Sequence, residues 1–88
     1  MVRISESGSS DGIRAIRLEG RVVGLCVTEV QGYCQRILSQ GMTLSIDMGG
    51  VSFLDGEGVG LFRELIGQQV RLFNCSPFLN ELLKPAAL

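Results

Sequence analysis

The amino-acid sequence predicts one α/β domain, with a mixed, mostly parallel four-stranded sheet, about three helices and the element order ββαβαβα. The first observation is that stretches with the two-residue alternation of strands are interspersed with stretches that carry a helical apolar stripe. The second is composition, because 45% of the 88 residues are hydrophobic and 19% are charged, as in a compact globular domain. Strands separated by helices pair in parallel through right-handed crossovers. We therefore treat residues 1–88 as a single domain.

The N-terminal stretches predict a β-hairpin. Residues 2–5 alternate apolar and polar side chains, residues 6–12 have turn composition, and residues 13–20 are extended again. We expect Ile13, Ala15 and Leu18 to point to one side of the second strand. The alternation slips at Ile16, which indicates a β-bulge at that position.

A first helix is predicted from residue 28, ending before Gly41. Thr28 is placed to cap the N-terminus, and Gln31 follows three residues later in capping-box spacing. Gly41 provides a C-terminal stop. One apolar stripe follows helical spacing and consists of Val30, Tyr33, Cys34, Ile37 and Leu38.

The second half of the chain alternates strand and helix twice more. Residues 42–48 predict a strand, a helix is expected over about residues 58–66, and residues 70–73 predict a fourth strand. Ser76 is expected to cap a last short helix, with Pro77 at the first helical position, where proline is favoured.

Charge and hydropathy argue against two classes of partner. The net charge is −1, and the eight Lys and Arg residues are scattered along the chain. The sequence therefore shows no basic patch of the kind that binds nucleic acid. No apolar run approaches the ~20 residues that a membrane helix needs, so we expect no membrane insertion. The polar N-terminus lacks the apolar core of a signal peptide, and we expect a cytoplasmic protein.

The sequence offers little for catalysis or metal binding. It contains no His, which removes the commonest general base and the commonest metal ligand. Cys26, Cys34 and Cys75 lack the CxxC spacing of a structural zinc site, and free cysteines are most often small buried apolar side chains. Cys75, near the last helix start, is the one that could be exposed and unusually acidic. We expect no metal, no cofactor and no enzymatic activity.

The turn after the third strand carries two carboxylates among glycines. The G-x-G-x-G pattern of Gly56, Gly58 and Gly60 lacks the Lys-Ser/Thr of a P-loop and does not have the Rossmann spacing. Asp55 can cap the following helix, and Glu57 lies in or next to its first turn. Both carboxylates complement the helix dipole and repel a phosphate. Helix capping is therefore a better interpretation than a catalytic pair or a nucleotide site.

Asp47 ends the third predicted strand. A carboxylate at this position commonly accepts hydrogen bonds from the loop that follows, here residues 49–51. We expect a structural role for Asp47.

Three stretches in this order are similar to STAS domains, the fold of bacterial anti-sigma factor antagonists. LSIDMGGVSFLDGEGVGLF (residues 44–62) resembles the central motif of that family. RLEGRVVG (residues 17–24) resembles its Leu-x-Gly strand end, and VRLFNCSPFLNELL (residues 70–83) its last strand and the helix that begins Ser-Pro. The resemblance covers most of the chain.

The resemblance implies a binding module that contacts an anti-sigma factor, itself a serine kinase, around the helix start. In that family the kinase phosphorylates the Ser or Thr immediately before the motif glycine, and the added charge breaks the complex. Here that position is Glu57, which has no hydroxyl, and Ser52 and Ser76 do not match it. The implied partner-binding residues are Gly20, Arg21, Val22, Val23, Asp55, Gly56, Glu57, Gly58, Val59 and Phe62.

Two other functions remain open at this stage. The missing hydroxyl is compatible with a STAS-type adaptor subunit of a transport ATPase (an ABC ATPase for lipid transport) or of a signalling complex, without a phospho-switch. A small-molecule or nucleotide sensor is the third possibility, although the carboxylates disfavour an anionic ligand at the turn. Phe73, Phe78 and Leu82 could contact another chain, including a second copy in a homodimer.

Overall fold

The computed structural model describes residues 2–84, which form one sheet and three helices. The elements are β1 (Val2–Ser10), β2 (Ile13–Val22), α1 (Leu25–Ser39), β3 (Thr43–Leu54), α2 (Gly56–Gly67), β4 (Arg71–Phe73) and α3 (Pro77–Leu83). The strand order is β1-β2-β3-β4; β1 and β2 are antiparallel, and the other pairs are parallel. The predicted fold class and element order are confirmed. Within residues 2–84, no helix combines the length and hydropathy needed to cross a membrane.

The core lies between one face of the sheet and the helices. Ile16 and Leu18 of β2, with Leu44 and Ile46 of β3, are at most 1% exposed, and they share one apolar cluster with buried side chains from all three helices. The alternate residues of these strands, Ile13, Ala15, Arg17, Thr43, Ser45 and Asp47, are exposed or half-buried, so this part of the opposite face is open. The predicted stripe of α1 is confirmed, with Val27 as a further buried member.

The orientation of β2 differs from the prediction. Ile13 is 45% exposed and Ala15 is half-buried, whereas Ile16 is completely buried. The irregularity expected at Ile16 lies instead in the partner strand, between Glu6 and Gly8 of β1. Because β1 carries the extra residue, β2 keeps its regular alternation through Ile16 and Leu18. The expectation that Ile13 and Ala15 share a side with Leu18 was therefore wrong.

Helix α1 begins three residues before Thr28. Gly24 is its N-cap, with φ 56° and ψ −127°, and the side chain of Thr28 lies exposed within the helix. The helix begins early because glycine can adopt this backbone conformation directly after β2, which other residues avoid. The predicted capping role of Thr28 is therefore wrong. By contrast, the Oγ of Ser76 accepts a hydrogen bond from the Leu79 N–H at 3.1 Å, and its role as N-cap of α3 is confirmed.

Asp47 joins three neighbouring segments at the open face of the sheet. Its Oδ1 accepts hydrogen bonds from the Gly49 N–H at 2.8 Å and from Asn74 Nδ2 at 3.1 Å. Its Oδ2 accepts one from Arg17 Nη1 at 2.9 Å. The Gly49 bond, followed by those from Asn74 and Arg17, lowers the pKa of the Asp47 carboxyl. The predicted structural role is confirmed, and it extends to β2 and to the segment after β4.

Close contact between Gly58 and β2 fixes the position of α2 on the sheet. A Cβ atom on Gly58 would lie 2.7 Å from the backbone oxygen of Val22, which is too close for any real side chain. A Cβ on Gly60, two residues along the same helix, would meet nothing within 4 Å. The two glycines therefore have different roles in one helix.

Substitution of these two glycines by alanine should have opposite effects on stability. Gly58→Ala forces α2 away from the end of β2, and we expect the free energy of unfolding to fall by about 1–3 kcal/mol. Gly60→Ala adds a better helix former in open space, and we expect a gain of about 0.5–1 kcal/mol. Urea unfolding followed by circular dichroism measures both. Equal effects of the two substitutions would contradict the close approach of α2 to β2.

Candidate functional site

The candidate site lies at the carboxyl ends of β2 and β3, where the N-termini of α1 and α2 come together. In open α/β sheets, this edge is where ligands and partners most often bind. Two helix N-termini also place free backbone N–H groups and partial positive charge at the edge. The site therefore has a built-in preference for negatively charged groups.

One carboxylate of the chain itself accepts hydrogen bonds from backbone N–H groups at the starts of both helices. Asp55 Oδ1 accepts a hydrogen bond from the Gly58 N–H at 2.8 Å and thus caps α2, as predicted. Asp55 Oδ2 accepts one from the Gly24 N–H, the N-cap residue of α1, at 2.9 Å. The bridge between the helices was not foreseen, because Gly24 and Asp55 lie 31 positions apart in the sequence.

The two backbone N–H groups also determine the acidity of this side chain. The hydrogen bond from Gly24, followed by that from Gly58, lowers the pKa of the Asp55 carboxyl. Both bonds favour the ionised form, because a protonated carboxyl accepts them less well. Asp55 is therefore a structural anion, and its charge already occupies the place that an external anion would take.

Glu57 is the second carboxylate of the site and is exposed in the first turn of α2. No ion pair among residues 2–84 includes Glu57. It borders an open groove of about 370 Å³ between α1 and α2, whose other lining residues are Val27, Thr28, Gln31, Gly60, Leu61 and Glu64. With Glu57 and Glu64 at one groove, an anionic small molecule is poorly matched there.

The implied partner-binding residues differ in how much of each is exposed to solvent. Arg21, Gly56 and Glu57 are exposed, and Gly20, Val23, Asp55 and Val59 are half-buried. Val22 and Phe62 are 0% exposed, because both side chains belong to the core beneath the helices. Gly58 is buried against the Val22 oxygen. The expectation that these last three residues lie on a contact surface is therefore wrong.

An aromatic stack near the site was missed by the sequence analysis. The rings of Phe53 and Phe78 stack with centroids 6.2 Å apart, and the Arg21 guanidinium lies 5.6 Å from the centroid of Phe53. Phe53 and Phe78 are 38% and 50% exposed, and Leu25, the first residue of α1, is 89% exposed. Large apolar side chains and arginine are the groups that dominate protein–protein contacts.

Burial makes two of the three cysteines, Cys34 and Cys75, weaker acids. Burial raises the pKa of the Cys34 thiol to about 12, and it also raises the pKa of Cys75. The expectation of an unusually acidic Cys75 is therefore wrong. No cluster of His, Cys, Asp and Glu side chains suited to a metal ion occurs in the part of the chain that the structure describes.

The bridge made by Asp55 predicts a specific loss of stability in acid. Because the folded-state pKa is lowered, the carboxylate stabilises the fold fully above its unfolded pKa of about 3.9, and this contribution disappears as pH falls through the folded value. At pH 7, Asp55→Ala should lower the melting temperature by at least about 4 °C. Measured by circular dichroism, the gap between wild type and variant should narrow below about pH 4.

Asp11→Asn is the matched control for this experiment. Asp11 is an exposed carboxylate in the turn between β1 and β2, with φ 48°, a conformation that Asn also tolerates. At pH 7 we expect its melting temperature to stay within about 2 °C of wild type. A gap for Asp55→Ala that does not change with pH would contradict the proposed charge-dependent bridge.

No protein-family model matches this sequence, and no curated protein matches it significantly. A solved structure does match: that of the anti-sigma factor antagonist SpoIIAA in its unphosphorylated form. The match covers 91% of this chain and 80% of that chain, with a TM-score of 0.69 and 26% sequence identity. It agrees with the motif order in the sequence and with the observed order of strands and helices. The chain therefore has a STAS-like fold, similar to that of an anti-sigma factor antagonist.

Proposed function

We propose that this protein is a non-enzymatic binding module that regulates a protein partner through the surface at the start of α2. The partner class we favour is an anti-sigma factor of the serine-kinase type, in a bacterial cytoplasmic network that controls transcription. The similarity to SpoIIAA supports this class, because the solved protein is an anti-sigma factor antagonist.

The observation that carries the proposal is the position of Glu57. Its carboxylate is exposed in the first turn of α2, while Asp55 caps the helix by accepting a hydrogen bond from the Gly58 N–H. Glu57 is therefore free to meet a partner without loss of the cap. In the motif resemblance, this is the position of the phosphorylated Ser or Thr, so a fixed charge of about −1 stands where a phosphate would carry about −1.5 to −2.

Neighbouring side chains provide the apolar part of the same surface. Leu25 lies next to Gly24, whose N–H binds Asp55, and Phe53 lies two residues before Asp55. Leu25 and Phe53 are both large, exposed apolar side chains, and they lie at the edge of the sheet that presents Glu57. An interface with apolar anchors and one charged group fits a protein surface better than a small-molecule site.

A second candidate is a STAS-type adaptor subunit, in a transport ATPase or a signalling complex. The observation that favours it is the absence of a hydroxyl at residue 57, because a permanent adaptor needs no phosphorylation. The same surface would then hold its partner constitutively, and the identity of the partner distinguishes the two candidates.

The test begins with affinity capture by wild type and by Glu57→Ala, with partners identified by mass spectrometry. The identified partner is then purified and titrated by calorimetry. We expect Glu57→Ala to change the affinity at least about tenfold, while Glu29→Gln, an exposed acid on α1, leaves it within about threefold.

The direction of the change distinguishes two forms of the proposal. Weaker binding of Glu57→Ala means that the partner has adapted to an acid, and stronger binding means that Glu57 mimics a permanently phosphorylated form. A transport ATPase as the partner would favour the adaptor. If Glu57→Ala and Glu29→Gln bind every partner as wild type does, the contact surface is not at the start of α2 and the proposal fails.

A further inference from the structure

The face of the sheet that the helices leave uncovered contains a groove of about 330 Å³. Its lining residues come from three adjacent parallel strands and are Ile13, Thr43, Ser45, Arg71 and Phe73. Ligand pockets in proteins begin at about this volume. The groove is separate from the candidate partner-binding surface, because it lies toward the opposite end of β2 and β3.

Strand register explains why these five side chains meet. Ile13 pairs with Thr43 across β2 and β3, and Ser45 pairs with Arg71 across β3 and β4. Adjacent strands lie about 4.8 Å apart, so the groove spans about 10 Å from β2 to β4. Ser45, on the middle strand of these three, is half-buried, while Ile13 and Phe73, on the two flanking strands, are 45% and 47% exposed.

The two arginines of this face differ in their ionic partners. Arg17 pairs with Asp47 at 2.9 Å and with Glu19 at 4.0 Å, so two carboxylates of the fold lie beside it. No ion pair among residues 2–84 includes Arg71. The groove thus combines a guanidinium without an acidic partner, two hydroxyl groups and two exposed apolar side chains.

These groups determine whether a second sheet or a small ligand is the better partner for the open face. Parallel sheets are usually covered on both faces. A second sheet packed here would have to bury Arg17, Asp47 and Glu19, which is costly even for paired charges. A small ligand avoids that cost, because it covers only the part of the face around Arg71. Arginine binds carboxylates through two parallel hydrogen bonds, and hydroxyl groups can add further donors.

We propose that this groove binds a small amphipathic carboxylate, with its carboxylate on Arg71, Thr43 and Ser45 and its hydrocarbon part on Phe73. Asp47 lies opposite Phe73 in the register, so the negative end of the ligand is directed away from it and toward Arg71. The ligand site and the partner-binding surface share β2 and β3 but no side chain.

Decanoate is the probe for this site. Titration of the ¹⁵N-labelled protein, followed by ¹H–¹⁵N correlation spectra up to about 5 mM, should give saturable shifts at the amides that line the groove, with a Kd of about 1 mM. Decyltrimethylammonium, which has the same chain length and the opposite charge, should cause no saturable shift there.

Variants test which groups bind the carboxylate. Arg71 and Thr43 are both exposed, so Arg71→Gln and Thr43→Val should leave the fold intact. We expect Arg71→Gln to weaken decanoate binding at least about tenfold and Thr43→Val about threefold. Arg36→Gln removes the same charge from an exposed position on α1 and should leave the affinity unchanged.

Four results would overturn this proposal: no saturable shift with decanoate, equal binding of the cationic probe, equal affinities of the Arg71→Gln and Arg36→Gln variants, or shifts that map to the groove between α1 and α2. None of them bears on the function of Glu57, because no protein partner takes part in the measurement.

Discussion

The interaction on which the rest of the site depends is the double hydrogen bond accepted by Asp55. One oxygen accepts a hydrogen bond from the Gly58 N–H and the other from the Gly24 N–H. A single carboxylate therefore caps the start of α2 and anchors the start of α1. Both N–H groups belong to helix ends that lack intrahelical partners. Because the chain supplies this anion itself, the positions of Leu25 and Glu57 at the surface do not require a bound ligand.

A second anion organises the other face of the same sheet. Asp47 joins β2 and the segment after β4 to the irregular part of β3, as Asp55 joins the two helices. Strand β3 extends from Thr43 to Leu54 and is irregular after Asp47, where its register against β2 shifts twice. One side of the molecule therefore presents an acid at a helix start, and the other presents an arginine beside hydroxyl groups. The two surfaces suit different kinds of partner.

Features encoded within a few residues could be predicted, and those that depend on distant contacts could not. The caps of Asp55 and Ser76 were correct because acceptor and donor lie three residues apart. Thr28 was misassigned because the conformation of Gly24, and not a side chain, decides where α1 begins. Burial of Phe62 and the stacking of Phe53 on Phe78 depend on how α2 and α3 pack, which local periodicity does not specify.

The central claim is that one carboxylate holds both helix starts, and NMR titration of two backbone amides tests it most directly. The amide protons of Gly24 and Gly58 should lie at low field, because both donate to a charged acceptor. As pH is lowered, both should move upfield together with one midpoint below about 3.9, the usual pKa of Asp. Separate midpoints, or a Gly24 amide that does not titrate, would contradict the bridge.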